Sequence, residues 1–290
     1  MGKYERNSMI QILKDKQSMY TINTSLHELP VVISLPHSGT YITSEMAENL
    51  MDDVIFPNTD WYLPKLYGFL KELGFTIIIN NMNRHLIDVN RDINDKKGSS
   101  YKTNLIYTKT TQGALMYNHE LSVQEIERRI ADYYLPYHEA IRQALLEKQK
   151  YFKKVYLIDL HSFGLNYGAD IILGNDNGRA CTSKTTNFFK KMMKKQNFKV
   201  TENNPFAGGY ITKYYGASVE NCEAIQIELW YQTYIDKRSF GNEELPVINN
   251  ELFGETSRRM ENVFIELKKW RINVTLRADT LHRFPRHRHP

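Results

Sequence analysis

Two apolar runs in this chain end in histidine. Val155-Tyr156-Leu157-Ile158 leads into Asp159-Leu160-His161-Ser162, and Val31-Val32-Ile33-Ser34-Leu35 leads into Pro36-His37-Ser38-Gly39. Runs of this length suit buried strands, and in α/β sheets the carboxyl ends of strands carry the polar chemistry. Two imidazoles delivered to one rim suggest a metal site. A third apolar run, Ala224-Ile225-Gln226-Ile227-Glu228-Leu229, adds a carboxylate where a general base is wanted. Together these residue types point to metal-assisted hydrolysis, in which a bound cation acidifies water and a carboxylate takes the proton.

Taken singly, each residue has a plainer use. His37 could be a loop histidine capping a turn, although Ser38-Gly39 would let a ligand approach the backbone. His161, two residues past Asp159 at a core-strand end, has few packing reasons to be there. Asp60 follows Thr59 where a helix is expected to start, so a favourable interaction with the helix dipole competes with metal ligation. Zinc sites commonly combine two imidazoles with one carboxylate and leave a position open for water. Asp60 is the carboxylate chosen for that set. Glu45 and Asp159 compete for the place, Asp159 also as an acceptor that fixes an imidazole tautomer. Burying Glu228 costs on the order of several kcal/mol unless it is paired or functional. The alternative is that Gln226 and Glu228 line the solvent face of an edge strand. Arg84 and Arg91 flank Asp88-Val89-Asn90. A guanidinium fork suits a carboxylate, while a structural ion pair with Asp88 or Asp92 is the commoner use.

Elements must place these residues. Strands are expected at Pro30–Leu35, Phe75–Ile79, Val155–Leu160, Asp170–Leu173, Phe198–Thr201 and Ile225–Leu229. Asn58-Thr59-Asp60 offers N-caps to a helix burying Trp61, Leu63, Leu66, Tyr67, Leu70 and Leu73, with Pro64 in its first turn and Gly74 as its stop. Arg84–Arg91 reads as an extended segment ending in a turn. Asp92–Met116 reads as a long loop, weakly ordered by Tyr101, Leu105, Ile106 and Tyr107; a loop of that length in a compact domain is functional or disordered. Ser122-Val123-Gln124-Glu125 is a capping-box pattern opening a helix to about Gln149, with a kink at Pro136. Helices are expected at Thr182–Lys195 and Leu252–Trp270. A glycine-rich loop, Asn204-Pro205-Phe206-Ala207-Gly208-Gly209, precedes the Glu228 strand. Strands alternating with helices argue for one α/β domain over residues 1–290, three-layered α/β/α with a mixed, mostly parallel sheet and a flexible basic tail at about 282–290.

Composition bounds the rest. At 290 residues, 41% hydrophobic and 24% charged, the chain can build a substantial core, and global disorder is not expected. The net charge of +5 is mild, with no basic block flanked by stacking aromatics, so no nucleic acid is expected as partner. Cys181 and Cys222 match no zinc or redox spacing and read as reduced cytosolic residues. No apolar run reaches bilayer length and no signal region opens the chain, so the expected location is cytoplasmic, with no membrane contact. Nothing in the sequence indicates an oligomeric state.

The ordered set Pro36-His37-Ser38-Gly39, Thr59-Asp60-Trp61-Tyr62, Arg84-His85-Leu86-Ile87-Asp88-Val89-Asn90-Arg91, Tyr137-His138, Ile158-Asp159-Leu160-His161-Ser162, Asn204-Pro205-Phe206-Ala207-Gly208-Gly209-Tyr210 and Gln226-Ile227-Glu228 resembles the N-formylglutamate amidohydrolase family. That family is related in fold to the zinc carboxypeptidases and aspartoacylases. The resemblance runs from about Val31 to Asp236. It implies one zinc-type ion per chain at His37, Asp60 and His161, a glutamate base at Glu228, and substrate carboxylate contacts from Arg84, Asn90 and Arg91. The carboxypeptidase relatives carry a glutamate three residues after the first histidine. Thr40 stands in that place here, so the acidic ligand must come from elsewhere.

On this reading the substrate is a small N-acyl amino acid with a free carboxylate, such as N-formylglutamate. Glu228 moves the proton, and one arginine, assigned to Arg84, helps stabilise the oxyanion. The other arginine and Asn90 hold the substrate carboxylate. The loop residues Asn204, Gly208, Gly209 and Tyr210 bring backbone N–H groups near the substrate, a plain turn being the alternative. Two other classes compete: a hydrolase of a peptide or another N-acyl compound, and a non-catalytic binding protein on the same fold. Intact His37, His161 and Glu228 count against the last, and metal analysis separates catalyst from binder.

Overall fold

Strands that are apolar on both faces must be covered on both, and the helices of this chain divide accordingly. The computed structural model describes residues 11–13, 19–23, 29–51, 54, 56, 58–95, 104–110, 113–237 and 247–272. Tyr101 and the basic tail lie outside the described residues. Among the described residues, strands β1 (Gln11–Leu13) and β4 (Tyr41–Thr43) form a parallel pair. Seven more form one sheet: β2 (Tyr20–Asn23), β3 (Val31–Leu35), β5 (Thr76–Asn80), β6 (Val155–Phe163), β7 (Ile171–Gly174), β8 (Val200–Glu202) and β9 (Cys222–Trp230). Their order is β2-β5-β3-β6-β9-β7-β8, antiparallel at β2·β5 and β7·β9 and parallel elsewhere. This is the expected mixed, mostly parallel sheet.

Period-2 alternation sorts the side chains. On one face, Val31, Ile33, Leu35, Ile158, Leu160, Ile225, Ile227 and Leu229 pack against helices α2 (Leu63–Leu66), α3 (Phe69–Glu72), α6 (Ser183–Lys195) and α8 (Asn250–Ile272). On the other, Val32, Val155, Leu157, Cys222 and Ala224 pack against α5 (Leu135–Gln149) and α7 (Tyr210–Ser218). Helix α5 buries Tyr137, Ala140, Ile141, Ala144 and Leu145, an i, i+3, i+4, i+7, i+8 spacing that gives one continuous apolar stripe. Along β6 and β9 this second face is apolar at the amino ends and polar at Asp159, His161, Gln226 and Glu228, before Phe163 and Trp230 close the strands.

Several local expectations change. The helix expected from Asp60 begins only at Leu63, because Tyr62 sits at φ 60° in the left-handed region. It is also broken into α2 and α3 around Tyr67-Gly68, while Gly74 (φ 82°) ends it as expected. Arg84–Arg91 is a succession of turns rather than extended chain. Ser122 caps helix α4 (Val123–Arg129) by accepting from Glu125 N–H at 3.1 Å, but the Glu125 carboxylate pairs with buried Arg129 rather than completing the box. The irregularity expected at Pro136 is a π-helical turn over Ile130–Tyr134, placed where proline withholds a backbone donor from the preceding turn. Helices α1 (Ser44–Asn49) and α7 were not expected from the sequence; both are short and weakly periodic. Strand β9 is central, between β6 and β7, so the edge-strand reading of Glu228 is wrong.

Candidate metal and catalytic centre

Three separate loops and strand ends bring His37, Asp60 and His161 together, all buried, with their candidate ligand atoms within 4.8 Å of one another. His37 leaves β3 and His161 lies on β6, its parallel neighbour. Asp60 is placed by its backbone, whose N–H donates to His37 O at 3.0 Å. Tyr231 donates to Thr59 O at 2.6 Å and Tyr234 to Trp61 O at 2.9 Å, so both carbonyls flanking Asp60 are held.

Each imidazole is oriented by a second carboxylate. His37 Nε2 lies 2.6 Å from Asp88 Oδ1, and His161 Nε2 lies 2.9 Å from Asp159 Oδ2. Asp159 is itself held by Ser34, which donates to Oδ1 at 2.8 Å, and Ser34 Oγ contacts Tyr137 OH at 3.0 Å. An ionised carboxylate only accepts, so a neutral imidazole held this way carries its hydrogen on Nε2 and presents a lone pair at Nδ1. Both Nδ1 atoms face Asp60 Oδ2, at 3.1 Å from His161 and 3.9 Å from His37. Three electron-rich atoms in one dry space repel unless a cation or proton lies among them. His161 answers with a proton: burial opposes its charge, but Asp159, Asp60 and Glu228 raise it well above the usual imidazole range. Burial, with Arg84 adding, lowers His37 to about 4. Two nitrogens and one carboxylate oxygen, each imidazole backed by an acceptor, fit a divalent cation such as zinc.

Glu228 is the direct cross-strand partner of His161 and lies on the same sheet face. It is buried and accepts from Gln226 Nε2 at 2.8 Å. Burial, opposed by His161 and assisted by Asp60, pushes its carboxyl up to about 8.

Arg84 and Arg91 both reach Asp88. Arg84 donates to Asp88 Oδ2 at 2.8 Å and to Asn58 O at 3.1 Å, while Arg91 stands 3.7 Å from the same carboxylate. Tyr107 OH donates to Asp88 Oδ2 at 2.6 Å and accepts from both arginines, so part of the long 92–116 segment reaches the site. The pairing with Asp92 weighed from the sequence does not occur; Asp92 caps the turn at Asn94. Two guanidinium charges meet one carboxylate, and their side chains remain 12% and 18% exposed. Arg91 Nε and Ser38 Oγ are buried with no partner among the described residues.

Asn90 is wedged against the glycine loop. Its Oδ1 accepts from Ile211 N–H at 2.8 Å and its Nδ2 lies 3.2 Å from His161 Nε2. A Cβ on Gly209 would fall 2.2 Å from Asn90 Nδ2, which is why only glycine fits there. Gly209 N–H donates to Gln226 Oε1 at 2.6 Å, and Gly208 adopts φ 118°. Tyr210 N–H approaches Asn90 O at 3.4 Å. The Asn204 side chain is exposed and bonded to nothing in this set. Glu45 is a half-exposed surface residue paired with Arg128, not a ligand. Sequence reasoning missed Asp88 as the partner of His37, as well as Gln226, Tyr107, Tyr231 and Tyr234. The Asp88-x-Asn90-Arg91 grouping was the one signal for the first, and 51 residues separate it from His37.

Fold and cluster define an α/β protein carrying a two-histidine, one-carboxylate group beside a buried glutamate at the carboxyl edge of its sheet. The family model described as N-formylglutamate amidohydrolase matches residues 29–235, and the chain belongs to that family. Among relatives, N-formylglutamate deformylase of Pseudomonas aeruginosa is 29% identical over 223 residues, covering 73% of this chain and 84% of the relative. N-formylglutamate deformylase of Pseudomonas putida is 29% identical over 227 residues, with 73% and 85% covered. The crystal structure of N-formylglutamate amidohydrolase from Ralstonia eutropha JMP134 shares the fold, with a TM-score of 0.74 at 24% identity over 88% of this chain and 98% of that one. A gene product of Agrobacterium tumefaciens shares it at a TM-score of 0.66 and 16% identity, over 88% and 94%.

Proposed function

We propose that this protein hydrolyses the amide bond of an N-formyl amino acid with a free carboxylate, N-formylglutamate first, using one zinc ion held by His37, Asp60 and His161. The observation that carries the reading is the convergence of two Nδ1 atoms on Asp60 Oδ2, with Glu228 as cross-strand neighbour of His161. The family and the names of the relatives supply the substrate class. Such an ion, when bound, acidifies water and polarises a carbonyl.

The chain's own residues do the rest. Asp88 and Asp159 hold the imidazoles so that no reorganisation is needed when the ion binds. Against its burial, the Glu228 carboxyl would be favoured in its ionised form by a cation held at the three ligands. In that form Glu228 takes the proton of the attacking water and passes it to the departing nitrogen as the carbon–nitrogen bond breaks, giving formate and the free amino acid. Gln226, bonded to both Glu228 and Gly209 N–H, keeps that carboxylate aimed while leaving one oxygen free for the proton. Arg84 stabilises the oxyanion, and Arg91 with Asn90 holds the substrate carboxylate, the surplus of guanidinium charge over Asp88 being what the substrate neutralises. Gly208, Gly209 and Tyr210 bring their backbone close to the bound substrate. Asn204 contributes only as part of that loop.

The test is turnover of N-formylglutamate by protein of known metal content, with and without a chelator. Release of formate in proportion to bound zinc supports the reading. Metal-free protein as active as the loaded form would end it.

A further inference from the structure

A small aromatic group stands one rung beyond the His161–Glu228 pair. Phe163 follows His161 by two residues on β6 and pairs with Trp230, which follows Glu228 by two on β9. Two strand residues advance about 7 Å and return to the same face. Packing gives the same orientation: Phe163 clusters with Ala169, Phe206, Trp230 and Ile172, and Ile172 is the β7 partner of Glu228. The rings of Phe163, Tyr167 and Phe206 have centroids 5.4–5.7 Å apart, Tyr167 and Phe206 meeting at 90°. Phe163 is buried beneath them, while Leu165 and Tyr167 form an outer rim 56% and 43% exposed. Trp230 Nε1 donates to Gly164 O at 3.2 Å and pins the strand end from which this rim departs.

The arginines lie to the other side. Arg84 and Arg91 converge on Asp88, which holds His37 at the end of β3, and β3 is separated from β9 by β6. For a substrate with its carboxylate at the arginines and its scissile bond between His161 and Glu228, the rung just past that pair, where Phe163 faces Trp230, is apolar and suits an acyl group rather than a charged one. We infer that Phe163, packed against Phe206, is the wall that limits the acyl group to a single carbon. A formyl group presents only hydrogen in that direction. An acetyl or propanoyl group must push carbon into interlocked rings, and cores packed this densely do not yield without displacing side chains. This inference rests on the proposed hydrolysis of N-acyl amino acids.

The experiment is kcat/KM for N-formyl-, N-acetyl- and N-propanoylglutamate, measured on the metal-loaded parent, Phe163→Ala and Phe206→Ala. The parent should prefer formyl over acetyl by about tenfold or more, the usual discrimination against one extra carbon. Each variant should raise the acetyl-to-formyl ratio by about tenfold or more. A ratio does not depend on the fraction of active enzyme, so partial misfolding of a variant leaves the readout intact. If Phe163→Ala does not fold, Phe206→Ala, altered in a half-buried loop position, carries the test. A parent that hydrolyses the formyl substrate while the ratio stays unchanged in the variants overturns the wall and leaves the proposed reaction standing. A parent inactive on all three substrates removes the proposed reaction and the wall with it.

Discussion

The hydroxyl of Tyr234 lies 3.0 Å from Ser162 Oγ. Because Tyr234 also donates to Trp61 O, this contact ties the residue after His161 to the residue after Asp60. One buried phenol thus couples two of the three proposed ligands through their backbones. Removing it should loosen the site without dissolving the core. Tyr234→Phe is expected to weaken zinc binding by about 10-fold, in the range for groups that orient ligands. Chelator competition measures this, and an affinity equal to the parent's would refute it.

Metal content is the most direct check of the ligand set. The parent should bind about one divalent ion per chain, zinc foremost. His37→Ala and His161→Ala should each lose most of it while keeping the parent's circular dichroism, since neither side chain belongs to the apolar clusters that cover the sheet. Elemental analysis after gel filtration gives the stoichiometry; full occupancy in both variants would remove these histidines from the site.

Glu228→Gln separates base from ligand. The amide keeps the shape and the contact with Gln226 but cannot take a proton, so kcat should fall about 100-fold or more with zinc content unchanged. Loss of zinc in step with loss of turnover would instead make Glu228 a ligand.

Arg91 discriminates the proposed carboxylate clamp from a structural cation. Its 3.7 Å approach to Asp88 is looser than the 2.8 Å contact of Arg84, and its Nε has no partner among the described residues. Arg91→Ala should therefore lower kcat/KM sharply for N-formylglutamate and far less for its α-ester or α-amide, with a loss of about 2–5 kcal/mol for the acid. Equal losses on acid and ester, with earlier melting, would make Arg91 structural.

Stability should fall on mild acidification. Burial lowers His138 to about 4, against a hydrogen bond to Val89 O that works the other way. Burial, with Arg84 adding, lowers His85 to about 3. The unfolded chain takes up these protons near pH 6.5 and the folded chain does not, so the contribution of these two histidines is full above about pH 6.5 and is lost as pH falls toward 4, against an opposite contribution from the raised Glu228 carboxyl. Each histidine contributes up to about 1.4 kcal/mol per pH unit in that window. Unfolding in denaturant between pH 4 and 7.5 measures the slope, and His138→Asn should flatten it; an unchanged slope would count against the assignment of His138.

Alternation within single runs was enough to place Asp159 and His161 on one side of β6, and Gln226 and Glu228 on one side of β9, because strand side chains repeat every two residues whatever surrounds them. Turn and cap chemistry was equally local: Ser122 starts its helix and Gly74 ends another. The same local signals failed around Asp60, where Tyr62 takes a left-handed conformation and the chain turns before any helix begins. They failed at α7 too, whose first turn is fastened by Asn90 and Gln226 from elsewhere in the chain rather than by a cap of its own. Only the tertiary structure decided which carboxylate faces which imidazole. His37 and Asp88 are 51 residues apart, His161 and Asp60 are 101 apart, and the tyrosines that grip the Asp60 loop lie 172 and 173 residues beyond their acceptors. No periodicity links such positions. Their meeting depends on the order of strands in the sheet, and that order is set by how two apolar faces are covered, which no short stretch of sequence contains.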